Sequence, residues 1–262
     1  MRPPPILDNK APEALSVFDP KALLREARRQ KGLGRAEPVP DICVLDPDGD
    51  IVRRLERDGQ AQRAKGWPCY HTDLHTFSLA SRPVGIVGCA VGAPFAVLVA
   101  EELFASGCQF LISITSAGQI TPAGAPPYFV IIDHALRDEG TSYHYAKPAE
   151  FSRADAMLVR AAATALEASG LRVVVGSSWT TDAPFRETAK AIEAARARGI
   201  LAVEMEAAAL YAFAKAKGVR VLCIAHVTNT MGLADQDFEK GEADGSADTL
   251  KLLETVAATL TS

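Results

Sequence analysis

From Asp41 onward the chain alternates short apolar runs rich in β-branched residues with segments whose apolar positions recur every three or four residues. The runs DICVL, PVGIVGCAVG, FLISITSAG, YFVIIDHAL, LRVVVGSSW and RVLCIAHVTN are continuously apolar and bounded by glycine, proline or aspartate, which predicts buried strands. PFAVLVAEELFASG, RADAMLVRAAATALEASG, ETAKAIEAARARG, the alanine-rich run after Glu204 and the tail ADTLKLLETVAATL keep a helical period instead. Gly107, Gly170, Gly199 and Gly218 stand where four of these helices would stop. Alternating strands and helices predict an α/β fold of three layers, a central mixed and largely parallel β-sheet flanked by helices. Ahead of it, residues 1–40 are proline-rich at both ends and enclose one charged helical segment, DPKALLREARRQKG. They read as an N-terminal arm with a short helix, followed by a single domain over residues 41–262.

Composition narrows the partners. The chain's 262 residues, 48% of them hydrophobic, suffice for one large core. Lys and Arg number 28 against 32 Asp and Glu, so no basic surplus draws the chain to nucleic acid or anionic lipid. No run approaches the roughly 18 apolar residues of a membrane span, and MRPPPILDNKAPEAL lacks the apolar centre of a secretory signal. Cys43, Cys69, Cys89, Cys108 and Cys223 are scattered without a CxxC pair, the pattern of reduced thiols in a cytoplasmic protein.

In sheets of this kind ligands bind beyond the carboxyl ends of strands, which directs attention to DPDGDIVRR, GCAVGAPF, TSAGQI, TTDAPFRET, VEMEA and HVTNTMG. DPDGD is not a calcium loop. Counted from Asp46, the required glycine and glutamate positions hold Ile51 and Arg57. The N–H of Gly49 and the guanidinium of Arg53, one turn into a helix, are instead suited to a phosphate or sulfate; a plain polar turn is the alternative. GIVGCAVGAP is not a GxGxxG fingerprint, and its glycines signal close backbone approach. CYHTDLH gathers Cys69, His71, Asp73 and His75, yet no second ligand cluster accompanies it. A loop, or a contribution to a neighbouring subunit's site, is preferred, and no metal is expected. There is no GxSxG serine elbow.

Two acids remain. Glu204 and Glu206 flank Met205 where an apolar strand meets an alanine-rich helix. One carboxylate in the first turn of a helix is explained by the macrodipole. Two in the apolar run ILAVEMEAAALYAF are not, because a carboxylate beside a core is costly without a partner. Sugar hydroxyls are such partners.

AVEMEAAALYAFAKAKGVRVLCIAHVTN resembles the signature segment of the nucleoside phosphorylase family, which holds hexameric purine nucleoside phosphorylases, uridine phosphorylases and related nucleosidases. VLDPDGDIVRRL is similar to that family's first phosphate loop, GIVGCAVGAPFAVLVAEEL to its glycine-rich strand and helix, ISITSAGQI to its central loop, and TTDAPFRET to its base-pocket segment. The resemblance implies that Glu206 holds the ribose hydroxyls, Met205 packs on the sugar and Glu204 supports them from the same turn. It further implies phosphate on Gly49, Arg53 and Ser116, the base against Phe185 and Pro184 with Arg186 or Glu187 reading its edge, and Asn229 facing the leaving base.

On this resemblance the chain is a nucleoside phosphorylase. It would use inorganic phosphate as co-substrate and no cofactor, as a homo-oligomer (a dimer, or a hexamer built as a trimer of dimers) in which His71 reaches a neighbouring site. Three positions depart from the family. Ser113 stands where an arginine begins the central loop, so that either His71 or Arg63 supplies the missing charge or water is the nucleophile, making a nucleosidase. Asn229 replaces an aspartate, an amide suited to 6-oxopurines or pyrimidines. Together the changes leave a third alternative, a nucleoside-binding protein with little turnover. Phe95 replaces a small polar residue and narrows the pocket.

Overall fold

The structure, a computed structural model, describes residues 4–231 and 245–260. The strands are β1 (Ile42–Asp46), β2 (Gln62–Arg63), β3 (His75–Leu79), β4 (Arg82–Gly88), β5 (Phe110–Gln119), β6 (Tyr128–Asp138), β7 (Phe151–Arg153), β8 (Val173–Thr181), β9 (Ala202–Glu204) and β10 (Arg220–Thr230). The helices are α1 (Pro20–Gln30), α2 (Asp50–Arg57), α3 (Ala93–Ala105), α4 (Ser142–Tyr145), α5 (Ala156–Glu167), α6 (Ala189–Arg196), α7 (Ala207–Lys217) and α8 (Ser246–Leu260). No helix among the described residues is long and apolar enough to cross a membrane.

One mixed sheet takes the order β10-β6-β8-β9-β5-β1-β4-β3-β2, with β7 added beside β6. β10 also pairs in parallel with β5, so this half of the sheet closes on itself. Adjacent residues of each strand enter opposite cores, as a two-residue period demands. Leu45, Val87, Leu111 and Ala225 pack with α3 and α7, whereas Val44, Ile86, Ile112 and Ile224 pack on the face holding α2, α5 and α8. Burial on both faces is why these strands read as unbroken apolar runs. Ala207, Ala208, Ala209 and Ala212 let α7 lie close to the sheet, and the Tyr211 hydroxyl satisfies itself there by donating to Ile132 O at 2.5 Å and accepting from Cys223 N at 3.0 Å.

α1 is set against α3 through buried Leu24 and Ala27. Arm residues Leu15, Val17 and Phe18 stay exposed. Unlike the expected loop, the segment from His75 forms β3, pairing with β4 as Phe77 and Leu79 face inward.

Candidate active site

Lengths of neighbouring strands shape the site. β1 stops at Asp46, opposite Gly88, and pairs with β5 only as far as Leu45 with Ser113. β5 runs on, so the N–H of Ser116 has no β1 ladder partner. The turn after β1 supplies one: Asp48 Oδ2 accepts from Ser116 N at 3.0 Å and, by a short bond, from Ser116 Oγ. The same turn is pinned by Asp46, whose carboxylate takes Gly49 N at 3.1 Å and Val52 N at 3.0 Å; burial pushes the Asp46 carboxyl up to about 7. Gly49 has φ 75°, the left-handed region that favours glycine, and a Cβ there would sit 2.7 Å from both Arg53 Nη1 and Cys89 Sγ and push those side chains aside. Arg53 Nη2 donates to Asp48 O at 2.8 Å and pairs with Asp50. Gly49, Arg53 and Ser116 are thus brought together as expected, each engaged with an aspartate or the backbone of this turn.

The two acids at α7 divide their duties. Glu204 is buried, and its oxygens accept from Ser178 Oγ at 2.9 Å, Thr180 Oγ1 at 2.5 Å, and the N–H groups of Glu206 and Ala207 at 2.7 Å each. It anchors the first turn of α7 to β8. The expected contact of Glu204 with substrate is therefore not what the geometry offers, since its lone pairs are spent within the protein.

Glu206 turns the other way. Its Oε1 accepts the N–H of Gly92 at 2.7 Å, at the start of α3. Its Oε2 is buried and has no hydrogen-bond partner among the described residues. Burial first, then the neighbouring Glu204 carboxylate, push the Glu206 carboxyl up to about 8, against the Gly92 N–H and the Thr115 hydroxyl, while Asp48 adds to the rise. Glu206, Thr115 and Asp48 therefore form one neighbourhood. A helix cap would leave no such orphan, so the capping explanation belongs to Glu204.

The remaining candidates surround this centre. Met205 is half-buried, its methyl group nearest the open side of Gly92. Asn229 follows a bulge in β10, opposite Gly118, with Nδ2 3.8 Å from Met231 Sδ. Met231, absent from the sequence reading, lies over Gly118 so closely that a Cβ there would meet its sulfur at 2.3 Å. Thr115 was also missed, although polar Ser113 and Thr115 alternate within an apolar strand and so share the face toward α3 and α7. Ser113 is 2% exposed, its hydroxyl without a partner among the described residues.

Neither basic stand-in replaces the arginine within this chain. Arg63 pairs with Asp73 at 2.5 Å, and His71 is exposed, its ring 6.4 Å from that of Phe95. Half-buried Phe95 lies in the first turn of α3, beside Gly92. His75 pairs instead with Glu56 at 2.8 Å and Asp73 with Arg63, while buried Cys69 accepts from His71 N and Thr72 Oγ1 within the segment. Pro184 and Phe185, expected against the base, belong to a short 3-10 turn where Phe185 is 99% exposed. Arg186 is exposed, and burial pushes the half-buried Glu187 carboxyl up to about 7.

A family model described as the phosphorylase superfamily matches residues 41–258. The chain belongs to the phosphorylase superfamily. It is 28% identical to a uridine phosphorylase of Thermococcus kodakarensis over 234 residues, covering 78% of this chain and 83% of that one. It is 34% identical to a DeoD-type purine nucleoside phosphorylase of Roseobacter denitrificans over 148 residues, 56% of this chain and 63% of the relative. Its fold is that of a uridine phosphorylase from Vibrio fischeri solved with 6-hydroxy-1-naphthoic acid, with a TM-score of 0.72 over 86% of this chain and 93% of that one, at 20% identity. The superfamily's α/β fold is therefore this chain's fold, and its members include both uridine and purine enzymes.

Proposed function

We propose that this chain is a pentosyltransferase that cleaves the N-glycosidic bond of a nucleoside with inorganic phosphate, releasing free base and pentose 1-phosphate. One observation carries the reading: a buried carboxylate, Glu206, holds one oxygen on Gly92 and leaves the other without a hydrogen-bond partner among the described residues, close enough to Asp48 to feel its charge. Buried carboxylate oxygens without donors are rare, and a ligand hydroxyl is the fitting donor.

With the sugar's hydroxyls on Glu206, the C1′–N bond breaks with its electron pair passing to the base. Positive character develops on the ring, and the fixed carboxylate favours that charge. A phosphate oxygen then forms the new bond at C1′. Gly49, Arg53 and Ser116 are the groups for phosphate, Met205 packs on the sugar, and the Asn229 amide hydrogen-bonds the departing base. An amide serves the carbonyl and N–H edge of a pyrimidine or a 6-oxopurine. The relatives' names, uridine and purine nucleoside phosphorylases, support the reaction class and span both kinds of base. No resident cofactor enters these steps.

In the same reading the enzyme is a cytoplasmic homo-oligomer, a dimer or a trimer of dimers, with His71 serving a neighbour. Exposed Val91, Leu98, Tyr70 and Phe185, along with five free cysteines, support it. The test is base release from a panel of nucleosides with and without phosphate. Release that rises with phosphate, accompanied by pentose 1-phosphate, is expected; release indifferent to phosphate overturns phosphorolysis in favour of water.

A further inference from the structure

All three groups assigned to phosphate are turned onto the loop after β1 or the turn of α2 that follows it. Gly49 N donates to Asp46 O at 2.9 Å and to its carboxylate. Arg53 serves Asp48 O and Asp50. Ser116 gives both its N–H and its hydroxyl to one oxygen, Asp48 Oδ2. That pair of donors on a single oxygen is what an anion needs, and a carboxylate of the chain itself already receives it.

We propose that Asp48 is a built-in competitor for the anion site, a specificity-determining residue that sets how tightly this chain takes phosphate. The inference rests on the phosphate-site reading above. The contact joins the loop to a strand 68 positions away and exists because β1 ends short of β5. Two anions cannot share the Ser116 donors, so phosphate enters only as the Asp48 carboxylate swings out, and the displaced charge stays close enough to oppose it. With Ser113 in place of a positive side chain, nothing on β5 offsets that repulsion. Asp48 thus tunes the enzyme toward high phosphate concentrations.

The test is titration calorimetry of the full chain with inorganic phosphate, for wild type, Asp48→Ala and Asp48→Asn, each checked for folding by circular dichroism. Removing a charge-assisted competitor is expected to tighten phosphate by roughly ten- to hundredfold in Asp48→Ala, and by less in Asp48→Asn, whose amide oxygen still accepts from Ser116. In turnover, KM for phosphate is expected to fall. Phosphate affinity that is unchanged or weaker in both variants overturns the proposal, even if base release by wild type depends on phosphate. Conversely, tight phosphate binding by Asp48→Ala with no base released from any nucleoside supports the proposal and defeats the assigned activity. Should Asp48→Ala fail to fold, the Asp48→Asn comparison decides alone.

Discussion

The carboxylate of Glu206 accepts the N–H of Gly92 at 2.7 Å, tying the first residue before α7 to the first residue before α3. The two helices pack side by side on one face of the sheet, so the bond fixes an acid at the point where both begin. Dipoles of the helix starts favour its charge, yet burial wins and holds the carboxyl up to about 8.

A pH dependence follows. A carboxyl whose pKa rises on folding is protonated more readily in the native state, so its contribution to stability is present below the ordinary carboxylate value and is lost as pH rises toward about 8. Glu206→Gln, which cannot ionise, is expected to match wild type near pH 4 to 5 and to exceed it above pH 8 by up to a few kcal/mol. Denaturant melts across that range check it; equal stability of the two proteins at every pH contradicts it.

The same titration governs function with the opposite sign. Accepting two sugar hydroxyls requires the ionised form, so kcat/KM is expected to climb with pH up to about 8 on its acidic limb. A pH profile on the preferred nucleoside reads this directly. A flat profile between pH 6 and 8 counts against an ionising clamp.

Glu204 is expected to fail differently. Its removal strips acceptors from Ser178, Thr180 and two backbone N–H groups in a buried turn. Glu204→Ala should cost on the order of 3 kcal/mol or more of stability. Chemical denaturation measures it, and a loss below about 1 kcal/mol would show that the turn does not depend on this acid.

Gly92→Ala probes the other end of the clamp. Gly92 has φ 88° and ψ 150°, a conformation nearly confined to glycine, while a Cβ there would meet no atom nearer than 3.9 Å. The expected cost is therefore backbone strain of about 1–3 kcal/mol without a steric clash, and a weakened KM for nucleoside as the Glu206 partner shifts. Thermal melts and steady-state kinetics on one preparation separate the two effects.

Much of this was legible in the chain. The long strands announced themselves because both of their faces are buried, and helices such as α5 and α6 because only one is. β2 and β7 span two and three residues and leave no pattern to read. β3 was hidden because His75, Asp73 and Cys69 suggested a ligand cluster, when His75 pairs with Glu56 and Asp73 with Arg63. VEMEA marked the right turn but could not divide its labour. Successive side chains at a strand–helix junction diverge in directions that only β8 and Gly92, brought in from elsewhere in the chain, decide. Asp48 was visible as one of three loop aspartates, yet its partner Ser116 follows from where β1 ends relative to β5, a matter of register between distant strands.

The most direct measurement is the turnover of a nucleoside, in phosphate buffer, by wild type and Glu206→Ala at matched folded concentration. Loss of the sugar clamp is expected to lower kcat/KM by roughly ten- to hundredfold or more. A variant that releases base as fast as wild type would contradict the account at its centre.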